Sequence, residues 1–260
     1  MKEPVLLIKL GGSSITDKAI PYKVREGVIR RLAREIKKAD SKSSLIISHG
    51  SGSFGHTSAS KYGGKKGYKS LLGIATVSAD AGRINQIVTD IFVEEGLPVI
   101  SLSPSSMIVA QSGEIFNHFF EVAEELLNQD LMPIVYGDVI WDKKWKSTIF
   151  SGERTLNLIA QYLPRKGYKV DKVIQVGETD GVIDQNGKTI PMINKKNWEK
   201  VRKNIFPTTK LDVTGGMVHK VEEALDLATK KIETLLISDR QNNLLNAIIR
   251  GSIKGTIIDK

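Results

Sequence analysis

Six short apolar runs, at 5–10, 44–48, 98–102, 132–136, 172–176 and 234–238, carry almost no polar alternation. A strand with one wet face alternates apolar and polar residues, whereas a strand covered on both faces does not, and that second pattern belongs to parallel sheets. Between these runs lie longer stretches with helical spacing, at 24–39, 71–96, 119–129, 155–163 and 217–230. The second of them closes at Gly96-Leu97-Pro98, a helix stop followed by proline. The alternation predicts an α/β fold, a three-layer αβα sandwich around a mostly parallel sheet. Residues 139–150 differ, with two apolar arms around Asp142-Lys143-Lys144, and read as a β-hairpin beside that sheet. Segment 186–210 is polar and lysine-rich, with Pro191 and Pro207, and reads as a mobile surface excursion. No repeat or long polar linker divides the chain, so residues 1–260 are expected to form a single domain.

Composition narrows the classes. The chain has 260 residues, 40% hydrophobic and 26% charged, an ordinary globular balance. No apolar run approaches the roughly 20 residues that span a bilayer. The start, Met1-Lys2-Glu3-Pro4, lacks the longer apolar region of a signal peptide. There are no cysteines, which excludes disulfides, thiolate metal sites and cysteine nucleophiles. A cytoplasmic protein with no membrane partner is expected. The formal charge of +9 comes from scattered lysines rather than an aromatic-interleaved basic stripe, so no nucleic-acid partner is expected. A positive field also suits phosphate ligands, and a lysine-rich surface kept for solubility would look the same.

In an open α/β sheet, ligands sit beyond the carboxyl ends of the strands, which puts the strand-to-helix loops first. After the first run comes Lys9-Leu10-Gly11-Gly12-Ser13-Ser14, where two glycines let backbone N–H groups approach an anion and Lys9 adds a fixed charge. Lys18 lies nine residues on and could return to the same mouth. The second loop is His49-Gly50-Ser51-Gly52-Ser53-Phe54-Gly55-His56. Residues 50–55 match G-x-G-x-x-G, but the acid that a dinucleotide fold needs about 20 positions on is missing. A glycine phosphate cradle at a helix start survives, with His56 opening the helix beside the anion. Tyr136-Gly137-Asp138 ends a run, and Ser151-Gly152-Glu153-Arg154 has the makings of a capped helix start. Gly177-Glu178-Thr179-Asp180-Gly181 is turn-like. Asp212-Val213-Thr214-Gly215-Gly216-Met217 repeats the Gly-Gly theme, with Lys220 one turn inside a helix. No G-x-x-x-x-G-K-[ST] is present, so this is not a P-loop enzyme.

In order, these loops resemble the amino acid kinase superfamily and, within it, the isopentenyl phosphate kinases. The resemblance spans nearly the whole chain, through Ile8–Ser13 with Thr16-Asp17-Lys18, 49–56, Pro104-Ser105-Ser106, 136–139, Ser151-Gly152, 179–182, and 212–217 with Lys220. The loop closed by His56 sets it with the isopentenyl phosphate and fosfomycin kinases rather than the carboxylate kinases of that fold. It implies ATP with Mg²⁺ as the phosphoryl source, and isopentenyl phosphate as acceptor in an in-line transfer that yields isopentenyl diphosphate. It implies that Lys9 and Lys220 bridge the ATP phosphates, that Lys18 stabilises the transferring group and that Glu153 orients the lysines. Gly11, Gly12, Ser13, Gly52 and Gly215 would line the nucleotide phosphates, and Asp180 and Gly181 would lie beside the nucleotide. Ser51, Gly52, His56 and Gly152 would hold the acceptor phosphate. No protein metal ligand is implied. The N-terminal half, roughly 1–165, would bind the acceptor and the C-terminal half, roughly 166–260, the nucleotide; a homodimer follows by analogy.

Two departures stand out: Glu153 where the family usually carries Asp, and Gly177-Glu178-Thr179 where Thr-Asp-Val is more typical. They motivate one alternative, a non-catalytic ATP-binding sensor; the runner-up is a fosfomycin or other phosphonate kinase. For the leading reading, helix 71–96 and Met107-Ile108 are candidate walls of an apolar tail pocket. The small residues Gly73, Ala75, Ala79, Ala81 and Gly82 would leave room for longer prenyl tails, although close helix contacts explain them equally.

Overall fold

A computed structural model describes residues 3–64, 67–205 and 216–260. The chain begins with β1 (Val5–Leu10), α1 (Gly12–Ile15), β2 (Thr16–Asp17), β3 (Lys23–Val24), α2 (Glu26–Ala39) and β4 (Ser44–His49). Next come α3 (Gly52–Tyr62), β5 (Gly63–Gly64), β6 (Gly67–Tyr68), α4 (Leu71–Glu94), β7 (Val99–Ser101) and α5 (Pro104–Met107). The middle holds β8 (Ile108–Gln111), β9 (Glu114–His118), α6 (Glu121–Asn128), β10 (Met132–Tyr136), β11 (Asp138–Asp142), β12 (Lys146–Phe150) and α7 (Gly152–Tyr162). The remainder is β13 (Val170–Gly177), β14 (Met192–Ile193), α8 (Trp198–Arg202), α9 (Gly216–Thr229), β15 (Glu233–Ser238), α10 (Asn243–Ile248) and β16 (Gly255–Ile258).

Among the described residues, the main sheet has eight strands in the order β14-β16-β15-β13-β1-β4-β10-β7. From β15 to β7 every pairing is parallel, and the β15–β16 pair reverses direction. The six apolar runs are the six parallel strands, as the missing alternation demands. Within β1, Leu6, Ile8 and Leu10 enter a core shared with Ile29 and Leu32 of α2, Ile84 and Val88 of α4, and Leu244 of α10. Val5 and Leu7 enter a second core with Ala123 and Leu127 of α6 and Leu156 and Ile159 of α7. Strand side chains alternate faces, so the two cores are the two sides of one sheet and the layering is αβα.

Residues 139–150 do form the expected hairpin, β11–β12, within a smaller sheet ordered β12-β11-β8-β9. The β8–β9 hairpin, α10, the edge strand β14 and its neighbour β16 are not legible in the sequence, being short and bounded by polar residues. The described part of segment 186–210 departs from expectation. It supplies β14 and α8, and it buries Ile193 (0% exposed) and Trp198 (7%) in a third core with Val221 and Leu225 of α9. A buried tryptophan docks it to the domain, against the reading of a surface excursion.

Candidate active site

Five of the six parallel strands, all but β7, end within a residue of one level. Leu10 stands beside both His49 and Val176, His49 beside Tyr136, and Gly177 beside Ser238. The loops that follow keep knitting: Gly11 N–H donates to Val176 C=O (2.8 Å), Gly50 N–H to Leu10 C=O (3.1 Å) and Gly137 N–H to His49 C=O (3.0 Å). Three glycine loops are thereby pressed into backbone contact. A Cβ on Gly12 would stand 2.7 Å from the Gly52 nitrogen, and one on Gly152 would stand 2.7 Å from Ser48 Oγ. Gly52 itself has φ +53°, the left-handed region that glycine enters without penalty. These glycines serve close approach, the property expected of a phosphate cradle.

Thr16 ties the cradle together. Its hydroxyl donates to Gly12 C=O (2.7 Å) and accepts from Ser53 N–H (2.8 Å), joining the first loop to the start of α3. The helix therefore starts at Gly52, and His56 is its fifth residue, half-buried. His56 does not open the helix as expected, because Thr16 satisfies an early N–H and lets the glycines themselves form the first turn.

Lys9 is the last residue of β1 on the face that carries α7, following Val5 and Leu7 by parity. Ser151 caps α7 by accepting from Arg154 N–H (3.0 Å), which sets Glu153 in the first turn. The Lys9 ammonium lies 3.6 Å from Glu153 Oε2, and both residues are buried. The other carboxylate oxygen, Glu153 Oε1, is buried with no hydrogen-bond partner among the described residues. At 3.6 Å the contact is Coulombic rather than a short hydrogen bond, and it gains from the sparse water around it. Arg154 turns away, pairing with Glu114 (2.9 Å) over the Phe150 ring.

The structure thus brings together Lys9, Gly11, Gly12, Ser51, Gly52, Gly152 and Glu153, with Ser13 half-buried in α1. Lys18 is exposed in the turn after β2, and Lys220 is half-buried one turn into α9. Gly215, with the rest of 206–215, lies outside the described residues. Asp180 is engaged by Arg240 (3.1 Å), and its Oδ1 is buried without a partner among the described residues. Gly181, at φ +81°, lies against Thr256.

Met107 and Ile108 belong to the buried cluster that includes Phe120 and Leu127. The small residues of α4 do not share one face: Gly73 faces the Tyr62 ring, Ala75 and Ala79 are exposed and Ala81 is buried. Helix contact with α3 explains Gly73.

Sequence reasoning left Asp138 and Glu223 without a role. Asp138 accepts from Val139 N–H (2.7 Å), Ser78 Oγ (3.2 Å) and Ser103 Oγ (3.3 Å), stitching α4 and the loop after β7 to the start of β11. Burial pushes its carboxyl above the usual carboxylate range. Glu223, on α9, is pushed up by burial and by the charge of Glu153. Its only sequence signal was its place three residues after Lys220.

The comparisons with known proteins agree with this geometry. A profile of the Amino acid kinase family matches residues 4–238. The isopentenyl phosphate kinase of Methanocaldococcus jannaschii is 31% identical, with 97% of this chain and 98% of that one covered. The isopentenyl phosphate kinase of Methanothermobacter thermautotrophicus is 32% identical, with 98% of each covered. A solved isopentenyl phosphate kinase structure superposes with a TM-score of 0.82 at 28% identity, covering 98% of this chain and 100% of that one. With its parallel sheet, its converging glycine loops and these relatives, the chain belongs to the amino acid kinase family and, within it, to the isopentenyl phosphate kinases.

Proposed function

We propose that this chain transfers the γ-phosphoryl group of ATP to isopentenyl phosphate, releasing ADP and isopentenyl diphosphate. The observation that carries the reading is the Lys9–Glu153 pair set beside three glycine loops at one end of a parallel sheet. A phosphate oxygen of the acceptor forms a bond to the γ-phosphorus as the bond from that phosphorus to the β,γ-bridging oxygen breaks. The nucleophile is already anionic and needs little base help, so catalysis is positioning and charge clamping.

Lys9 and Lys220 would bridge the nucleotide phosphates, with Glu153 orienting Lys9 and Lys18 swinging in from its turn. The backbone of Gly11, Gly12, Ser13, Gly52 and Gly215 would line those phosphates. Ser51, Gly52, His56 and Gly152 would hold the acceptor phosphate, and Asp180 and Gly181 would flank the nucleotide. The residues present fit this ligand, because glycine at 12 and 152 lets the loops close up where a Cβ would strike the neighbouring chain. Mg²⁺ would ride on the nucleotide phosphates and neutralise charge there. The first half of the chain would bind the acceptor and the second the nucleotide, in a cytoplasmic homodimer; sedimentation checks the assembly. No helix among the described residues is long and apolar enough to cross a membrane.

Glu153 bears on the sensor reading, since the longer side chain still reaches Lys9. The test is turnover of purified protein with ATP and Mg²⁺, given isopentenyl phosphate or fosfomycin in separate reactions. Isopentenyl diphosphate is the expected product. Turnover of fosfomycin alone would move the acceptor to a phosphonate, and ATP binding with silence on both would revive the sensor.

A further inference from the structure

We propose that Glu223, hydrogen-bonded to Asn157 beside Glu153, is a positioning residue that joins the Lys220-bearing helix to the Lys9–Glu153 pair. The proposal rests on the kinase reading above.

Among the described residues, two polar ties connect α7 to α9 and the residue that follows it. At the far end, Lys230 donates to the Gln161 side-chain oxygen (2.8 Å). At the site end, Asn157 Nδ2 donates to Glu223 Oε2 (3.0 Å). Glu153 and Asn157 are four residues apart on α7 and share a face, as Lys220 and Glu223, three apart, do on α9. The tie therefore sets how the helix that presents Lys220 stands against the helix that presents Glu153.

A second carboxylate is a costly choice for such a tie. Glu223 is faced from α7 by Glu153, Arg154 and Asn157, and from its own helix by His219, whose Nδ1 lies 3.3 Å from Glu223 Oε1. Burial and the Glu153 charge favour the protonated form of Glu223, while His219, Arg154 and Asn157 favour the carboxylate. An inert spacer would be better served by an amide. The charge of Glu153 is among the causes that hold the Glu223 carboxyl above the usual range, so the residue tied to Asn157 also senses the site. Glu153 Oε1 and Asn157 Oδ1, both buried without a partner among the described residues, show that this pocket has acceptors to spare. An arriving cation, such as the Lys220 ammonium, would find them waiting.

The experiment compares wild type with Glu223→Ala, Glu223→Gln and Asn157→Ala. It measures kcat, the KM of each substrate, the pH profile of kcat and the titration of the glutamate carboxyl carbons by NMR. Glu223→Ala and Asn157→Ala are expected to lower kcat by about tenfold or more, with the acceptor KM within about threefold. Glu223→Gln, which still accepts from Asn157, is expected to recover most of that loss. It should also move the acid limb of kcat to lower pH, because the carboxyl whose titration burial pushes up is gone. Glu223→Ala with wild-type kcat would overturn the proposal. So would Glu223→Gln as impaired as Glu223→Ala with the acid limb unmoved, the mark of a structural plug. Should Glu223→Ala fail to fold, the other two variants decide. Silence of wild type with isopentenyl phosphate would count against the acceptor reading alone. In that case the NMR arm still decides, since a Glu223 titration unmoved by Asn157→Ala would overturn the tie without any turnover.

Discussion

Lys9 and Glu153 meet at the end of β1 at 3.6 Å, with side chains only 11% and 9% exposed. The family resemblance leads one to expect aspartate here, a methylene shorter, and the longer side chain of this protein spans the gap. Glu153→Ala would leave the Lys9 ammonium without this counter-charge, and kcat is expected to fall by about 10²-fold. Glu153→Asp is expected to fall in between, since the shortened carboxylate stands off from Lys9. Steady-state kinetics on both variants check this; a Glu153→Asp enzyme faster than wild type would contradict it.

The glycine contacts make a sharper prediction. Gly12→Ala places a methyl 2.7 Å from the Gly52 nitrogen, with backbone on both sides and no flexible neighbour to yield. Overpacking of this kind costs about 1–3 kcal/mol, and parting the loops should lower kcat/KM for both substrates. Gly27→Ala is the control. Its Cβ would meet nothing within 4 Å, and in the first turn of α2 it should stabilise by about 0.5–1 kcal/mol. Melting curves and kinetics on the pair separate a helix effect from a cradle effect.

Thr16→Val keeps the shape of the side chain and removes the hydroxyl that joins Gly12 C=O to Ser53 N–H. A buried N–H left without its partner costs about 1–3 kcal/mol. The start of α3 should loosen, raising the acceptor KM more than the ATP KM. Equal KM values for wild type and Thr16→Val would show that the glycine contacts suffice alone.

His49 predicts a pH dependence. It is fully buried between Gly50 C=O and the Asn85 side chain, and burial lowers its pKa below the ordinary imidazole value. The unfolded chain therefore binds the proton more readily than the folded one. The associated stability is fully present above about pH 6.5 and is lost as pH falls towards the folded value, with a slope of up to about 1.36 kcal/mol per pH unit. Urea unfolding between about pH 7.5 and pH 5 should show this decline, and His49→Asn should flatten it. A variant with the wild-type slope would assign the acid sensitivity to other groups.

The fold was largely legible because its strongest signals are local. Val5–Leu10 and Met132–Tyr136 form strands with the bounds read from their apolar runs, and α4 starts at Leu71 as its pattern predicts. The missing polar alternation implied two covered faces. Short elements escaped. The burial that holds β14 and α8 in place is supplied by α9 and the sheet edge, not by their own sequence.

The site divides the same way. The glycine loops and Lys9 could be read from the chain because a phosphate cradle needs those residue types next to a strand end. The sequence alone determined a parallel α/β kinase architecture and the loops that carry its chemistry. Only the tertiary structure decided that Gly12 abuts Gly52, that Glu153 reaches Lys9, that His56 sits a turn inside its helix and that Glu223 stands beside Glu153. Hydrophobic periodicity reports which face of an element is covered. It carries no record of which distant side chain arrives there, because that depends on strand order and on the level at which the strands end.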